Sequence, residues 1–142
     1  MERAFAAYDS SLVKDPNNVQ TLNNYAYHLS TRGVQLQRAV KLAQRATEIE
    51  PHNTIYLDTY AWALYKAGKY AEAKAVTDSM WVAFEKEGQS EKPDAGYYDR
   101  SGDIYFKAGA SKDAAQMWKE ALQLTNDHKE QRKLRAKLQK VR

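Results

Sequence analysis

An all-α fold built from stacked helical hairpins is predicted for this chain by three observations. Apolar residues recur at helical spacing in successive segments, a glycine closes the first segment of each pair, and an alanine follows each glycine at near-constant offset. The arrangement they imply is an α-α superhelix, a solenoid of antiparallel helical hairpins with a capping helix at the C-terminal end, formed by residues 1–142 as a single domain.

The elements can be taken in order. Residues 1–18, with the run AFAAYDSSLVKDPNN from Ala4, read as the second helix of a hairpin whose first helix is missing, so the chain is expected to be a piece of a longer repeat protein; a natural half-repeat cap is the alternative. The first full hairpin spans 19–53, where Leu22, Tyr25, Ala26 and Leu29 fall at i, i+3, i+4 and i+7. The second spans 54–87, with Leu57, Tyr60, Ala61 and Leu64 in the same pattern, and its second helix runs on through Trp81, Val82 and Phe84. Residues 88–94, GQSEKPD, form a polar loop of turn-forming residues and the expected flexible spot. The third hairpin spans 95–126, with Tyr98, Ser101, Gly102 and Tyr105 as the periodic set and Ser101 as its polar exception.

Gly33, Gly68 and Gly109 stand where each first helix must stop, because glycine takes the left-handed conformation without a Cβ clash. Ala39, Ala73 and Ala114 follow early in each second helix, where a small side chain lets two helices approach closely. Pro16 and Pro51 end second helices, since proline cannot continue a helix interior. In residues 127–142, Leu134, Leu138 and Val141 lie at i, i+4 and i+7 on an otherwise charged segment, which predicts a helix that docks one side on the third hairpin.

The spacing of 34 to 35 residues, with large–small pairs in the first helix, Gly at the turn, Ala in the second helix and Pro at the end, resembles the tetratricopeptide repeat (TPR). The first repeat departs from the pattern by one extra residue between Gly33 and Ala39; the second has Met80 where the family prefers Ala, and lacks the closing Pro. The phrases LNNYAYHLS, YLDTYAWALYKAGKYAEA and GDIYFKAG are similar to those in TPR arrays of bacterial exported proteins and lipoproteins. That resemblance implies a periplasmic or cell-envelope location, with the cytoplasm as the alternative.

Composition sets limits on the chemistry. Hydrophobic residues make up 43% of the chain and charged residues 28%, values that support a folded core. Without cysteine there is no disulfide, thiolate metal site or cysteine nucleophile. The net charge of +4 is unevenly placed: residues 128–142 carry seven Lys or Arg against Glu130, a net of +6, so the preceding residues total −2. No apolar run approaches the roughly 20 residues of a transmembrane helix.

No phosphate loop, HExxH or GxSxG is present, and His28, His52 and His128 are too scattered to suggest a metal site. Glu48 with Glu50, and Glu85 with Glu87, are two apart and lie on different helix faces, so neither pair forms a shared acid–base site. The reading is a non-catalytic protein or peptide-binding scaffold with no cofactor and no metal.

In the family that this chain resembles, first helices line the inside of the superhelix and carry ligand contacts. The resemblance therefore points to Asn23, Tyr27 and Ser30 in the first repeat, Asp58, Trp62 and Tyr65 in the second, and Asp99, Asp103 and Phe106 in the third. Aromatics beside three aspartates suit a peptide of basic or apolar character, with Trp62 as the anchor. The same Tyr27, Trp62 and Phe106 also suit packing between neighbouring first helices, whereas Trp81 and Trp118, on second helices, are assigned to the core. A family branch binds acidic chaperone C-termini through Lys, Asn and Arg, but aspartates at the corresponding places would repel a carboxylate. Two other partner classes remain: a second copy of the chain, against the open face of residues 4–12, and an anionic surface or nucleic acid, less favoured, through the basic C-terminal helix.

Overall fold

The computed structural model describes residues 2–86 and 92–141, and every described element is an α-helix. The chain divides into two compact units, Met1–Glu87 and Gly88–Arg142. Most of the polar loop expected over 88–94 lies outside the described residues; within it, Asp94 caps the helix that follows.

The first unit contains α1 (Glu2–Lys14), α2 (Val19–Arg32), α3 (Leu36–Ile49), α4 (Thr54–Lys66) and α5 (Tyr70–Lys86). Helices α2 and α3 form one hairpin, α4 and α5 the next, and both α2 and α3 pack on α4. The second unit contains α6 (Ala95–Lys107), α7 (Ser111–Leu124) and α8 (His128–Gln139), with α6 and α7 as a hairpin and α8 laid on α7.

Local sequence sets the helix ends. Asn18 and Asn53, each at the end of a Pro-x-Asn turn, accept backbone N–H groups of α2 and α4 on their side-chain oxygens; Asp94 and Asp127 do the same for α6 and α8. At the other end of each first helix the chain reverses at a glycine with positive φ: +71° at Gly33, +79° at Gly68 and +88° at Gly109. In all three turns the glycine N–H bonds back three residues, to Ser30, Tyr65 or Phe106 (3.0–3.1 Å). The next N–H bonds back five residues, to Leu29, Leu64 or Tyr105 (2.8–3.1 Å). This double closure is the Schellman arrangement.

The extra residue of the first repeat is absorbed in the turn. Gln35 takes a left-handed conformation, φ 47°, as the only non-glycine residue with positive φ among those described, and α3 begins one residue later relative to its glycine. Ala39 consequently occupies the same early position as Ala73 and Ala114, and all three are fully buried. Met80, which stands where the other hairpins have Ala46 and Ala121, is also buried, as its unbranched side chain permits. It lies in α5, a helix of 17 residues against 14 for α3 and for α7, which carries Trp81 and Phe84 as a ring pair 5.3 Å apart.

Helix α1 docks on α2 through specific contacts. Phe5 and Tyr8 set their rings 5.6 and 5.1 Å from that of Tyr25, and Arg38 bridges the Tyr25 hydroxyl (2.9 Å) and Asp9 (2.6 Å). Ser11 and Thr21 share a hydrogen bond of 3.1 Å. Near the end of α1, Val13 is 84% exposed.

In the second unit, Tyr105, Ala114, Trp118, Ala121 and Leu134 form the core, with Leu138 and Val141 packed against it, so the tail docks by the side that its apolar spacing predicts. Trp118 fills space that Gly102 leaves open: a Cβ on Gly102 would lie 2.3 Å from Trp118 Nε1. At Gly68 a Cβ would meet nothing within 4 Å.

These two glycines should respond differently to alanine. Gly68→Ala carries only a conformational penalty, about 1–2 kcal/mol, with unchanged tryptophan emission. Gly102→Ala must displace an indole, at roughly 1–3 kcal/mol, and should shift the emission. Urea denaturation followed by fluorescence checks both, and an unperturbed emission in Gly102→Ala would contradict the packing described.

Candidate protein-binding surfaces

The residues suggested for a ligand groove fall in both units and into different environments. On α2, Tyr27 is 44% exposed and meets His28 edge to face at 5.7 Å, while His28 stacks on Tyr8 of α1 at 5.9 Å. Asn23 is 7% exposed and Ser30 fully buried; Asn23 Oδ1 and Ser30 Oγ have no hydrogen-bond partner among the described residues. A buried amide oxygen without a donor is costly and therefore worth noting on a binding surface.

On α4, Asp58, Trp62 and Tyr65 are all half-buried. The Trp62 and Tyr65 rings stack 5.0 Å apart at 18°, Tyr70 of α5 stands 5.8 Å from Tyr65, and the Lys66 ammonium lies 5.7 Å from the Trp62 ring centre. Trp62 is thus placed by its own helix, through i, i+3 and i, i+4 neighbours one turn along.

In the second unit, Asp99 and Asp103 on α6 are engaged from within the chain. Lys137 of α8 sets its ammonium 2.7 Å from Asp99 Oδ1 and 2.9 Å from Asp103 Oδ1. The same Nζ lies 5.9 Å from the centre of the Trp118 ring. Phe106 packs its ring 5.7 Å from that of Trp118 and belongs to the core margin. Trp118 itself is 2% exposed, and its Nε1 makes no hydrogen bond of good geometry, although the indole lies close enough to Asp103 to disfavour its protonation.

The titration of this cluster reflects competing effects. Burial pushes the Asp103 carboxyl up and the charge of Asp99 adds to the rise, while Lys137 and Trp118 oppose it; the net direction is upward from 3.8. Burial pulls the Lys137 ammonium down, but hydrogen bonds and charge from both aspartates outweigh it and leave the group above 10.5. The two partners differ in sign of benefit because the lysine has two counter-ions, whereas Asp103 has one and a like-charged neighbour.

Two features are not legible in the spacing. Lys137 was one of seven basic residues with no mark of its own. A cleft of about 560 Å3 also lies between the Pro51–His52 turn and α5 at Asp78, Val82 and Lys86. Among the described residues no cluster of His, Asp or Glu could hold a metal ion, and no helix is long and apolar enough to cross a membrane.

Comparison with solved structures identifies the architecture. YrrB, described as a TPR protein with an unusual peptide-binding site, superposes with a TM-score of 0.73 over 95% of this chain and 64% of its own, at 16% identity. The chain has the tetratricopeptide-repeat fold. MamA from Desulfovibrio magneticus RS-1 matches over 99% of this chain and 82% of its own, with a TM-score of 0.71 and 17% identity. The first TPR domain of Spaghetti, bound to the HSP90 peptide SRMEEVD, matches over 89% and 95%, with a TM-score of 0.68 and 17% identity. In sequence, a TPR repeat-containing protein of Pseudomonas aeruginosa is 30% identical over 63 residues, which are 44% of this chain and span only 11% of that relative's length. No protein-family model matches the chain.

The TPR core should lose stability in alkali. Lys137, the buried phenols of Tyr25 and Tyr56 and the half-buried phenols of Tyr60 and Tyr98 all have raised folded-state pKa values, from desolvation first in each tyrosine. Groups of this sign stabilise fully below their unfolded values of 10.0 and 10.5 and lose that contribution as pH rises through the folded ones. Urea midpoints should fall between pH 9 and pH 12, and Lys137→Met should fall less steeply because one of these groups is gone; identical slopes would remove Lys137 from the account.

Proposed function

We propose that this TPR chain is a non-catalytic scaffold that binds a protein segment or peptide on the face presented by α2 and α4. The stacked Trp62–Tyr65 pair carries the reading: two large aromatic rings, ordered by their own hairpin and half open to solvent, offer contact area at low entropy cost. Asp58 gives the face an acid, so a segment combining apolar or aromatic side chains with a basic residue is the complementary chemistry. The peptide-binding character of YrrB and of the Spaghetti domain, as those structures are described, supports the same reading.

Trp62→Ala should leave the helix content intact while weakening a captured peptide roughly tenfold or more, as expected of an aromatic hot spot. Isothermal titration with peptides selected from a random library on the wild-type chain makes the comparison. Equal affinity for every selected peptide would remove α4 from the binding surface.

A second reading rests on α8, where Lys129, Arg132, Lys133 and Arg135 are all exposed. Such a stripe suits an anionic surface, and its binding must fall steeply with salt. Heparin retention at 50 mM salt that vanishes by 300 mM would support it, and no retention at 50 mM would exclude it.

A further inference from the structure

The two aspartates of α6 lie four residues apart, on one helix face, where like charges repel unless a cation bridges them. The Lys137 ammonium does so, against the face of a nearly buried indole. Two carboxylates still face one ammonium, leaving the cluster with a net charge of −1. The Trp118 Nε1 at the same corner is buried without a hydrogen-bond partner among the described residues, in the ring that the Lys137 ammonium approaches to 5.9 Å. Carboxylates on successive helix turns, each within hydrogen-bonding distance of one tetrahedral nitrogen, suit an ammonium group; a planar guanidinium would fork onto a single carboxylate.

The helix that supplies Lys137 is held unevenly. At its start, Asp127 caps the N–H of Glu130 (3.0 Å), Glu130 accepts from Thr125 (2.6 Å), and Gln131 donates to the Thr125 carbonyl (3.0 Å). Towards its end, Leu134 is buried, whereas Leu138 and Val141 are only partly so, and Lys137 supplies the polar contact with α6. The first turn of α8 is thus tied by three hydrogen bonds, and its last turns by Lys137 and two partly buried apolar side chains.

We propose that Asp99, Asp103 and Trp118 form a binding site for a lysine side chain, filled in this structure by the chain's own Lys137, and that a lysine-bearing peptide binds there by displacing the end of α8. The TPR chain thereby carries an internal competitor that sets a threshold for its ligand. The proposal rests on the scaffold reading only in taking the inner faces of first helices as binding surfaces; it is read out at Trp118, whereas that reading is tested at Trp62.

The test uses the full chain, wild type and Lys137→Ala, titrated with acetyl-Gly-Lys-Gly-amide and followed by the indole N–H resonances. Removing the competitor should raise affinity about tenfold or more, because the open site no longer has to be vacated first. The Trp118 resonance should move, and the norleucine analogue, which lacks the ammonium, should have no effect. A folded Lys137→Ala protein with no lysine-dependent change at Trp118, equal binding of the norleucine peptide, or changes confined to Trp62 would each overturn the proposal. If Lys137→Ala loses its helix content, the wild-type chain decides: the lysine peptide should speed hydrogen exchange of the amides of residues 134–139 and leave those of α6 protected. Unchanged exchange at a saturating peptide concentration would overturn it equally.

Discussion

Two helices joined by two or three residues can lie antiparallel only if the chain turns sharply straight after the last helical residue. That reversal needs a backbone in the left-handed region, which costs an ordinary L-residue about 1–2 kcal/mol. Gly33, Gly68 and Gly109 supply it, each closed by the same pair of backbone hydrogen bonds. Close contact between the paired helices then requires Ala39, Ala73 and Ala114, because the returning helix comes nearest just past the turn. The first hairpin shows how strict the requirement is. Its surplus residue is taken up by a strained Gln35 and the alanine stays in register, since shifting the helix would have rotated its whole apolar face away from α2.

Once the hairpins are set, polar residues on the first helices fall into two situations. Those of α4 are ordered by neighbours on their own hairpin and remain half open, so the Trp62–Tyr65 stack keeps part of its surface in solvent. Those of α6 are bridged by a residue 38 positions away along the chain. The capping helix is therefore more than an apolar lid: it places a counter-charge on a pair of carboxylates that burial and mutual repulsion make unfavourable. Phe106 and Trp118 complete that corner as packing residues, whereas Trp62 meets Tyr65 and Lys66 along α4 itself.

Sequence reasoning placed the turns and core faces well because they are local or periodic properties. Gly33 followed by an alanine six residues on, or Leu134, Leu138 and Val141 at helical spacing, are visible without any tertiary information. It served the candidate site less evenly. Asn23, Tyr27 and Ser30 sit at comparable register positions on α2, yet Tyr27 is exposed while Asn23 and Ser30 are buried, because the packing of neighbouring helices, and not register alone, determines how much of a face stays open.

The sequence by itself determined an all-α chain of glycine-closed hairpins with a basic last helix, because helix period, backbone handedness and side-chain size act over a few residues. Tertiary structure decided which charges meet. Lys137 is indistinguishable in sequence from six other basic residues near it, and only the docking of α8, directed by Leu134 into the Trp118 core, brings its ammonium within 2.9 Å of two aspartates. Coulombic partners are chosen by distance in space, and one-dimensional spacing carries no record of a contact made across the fold.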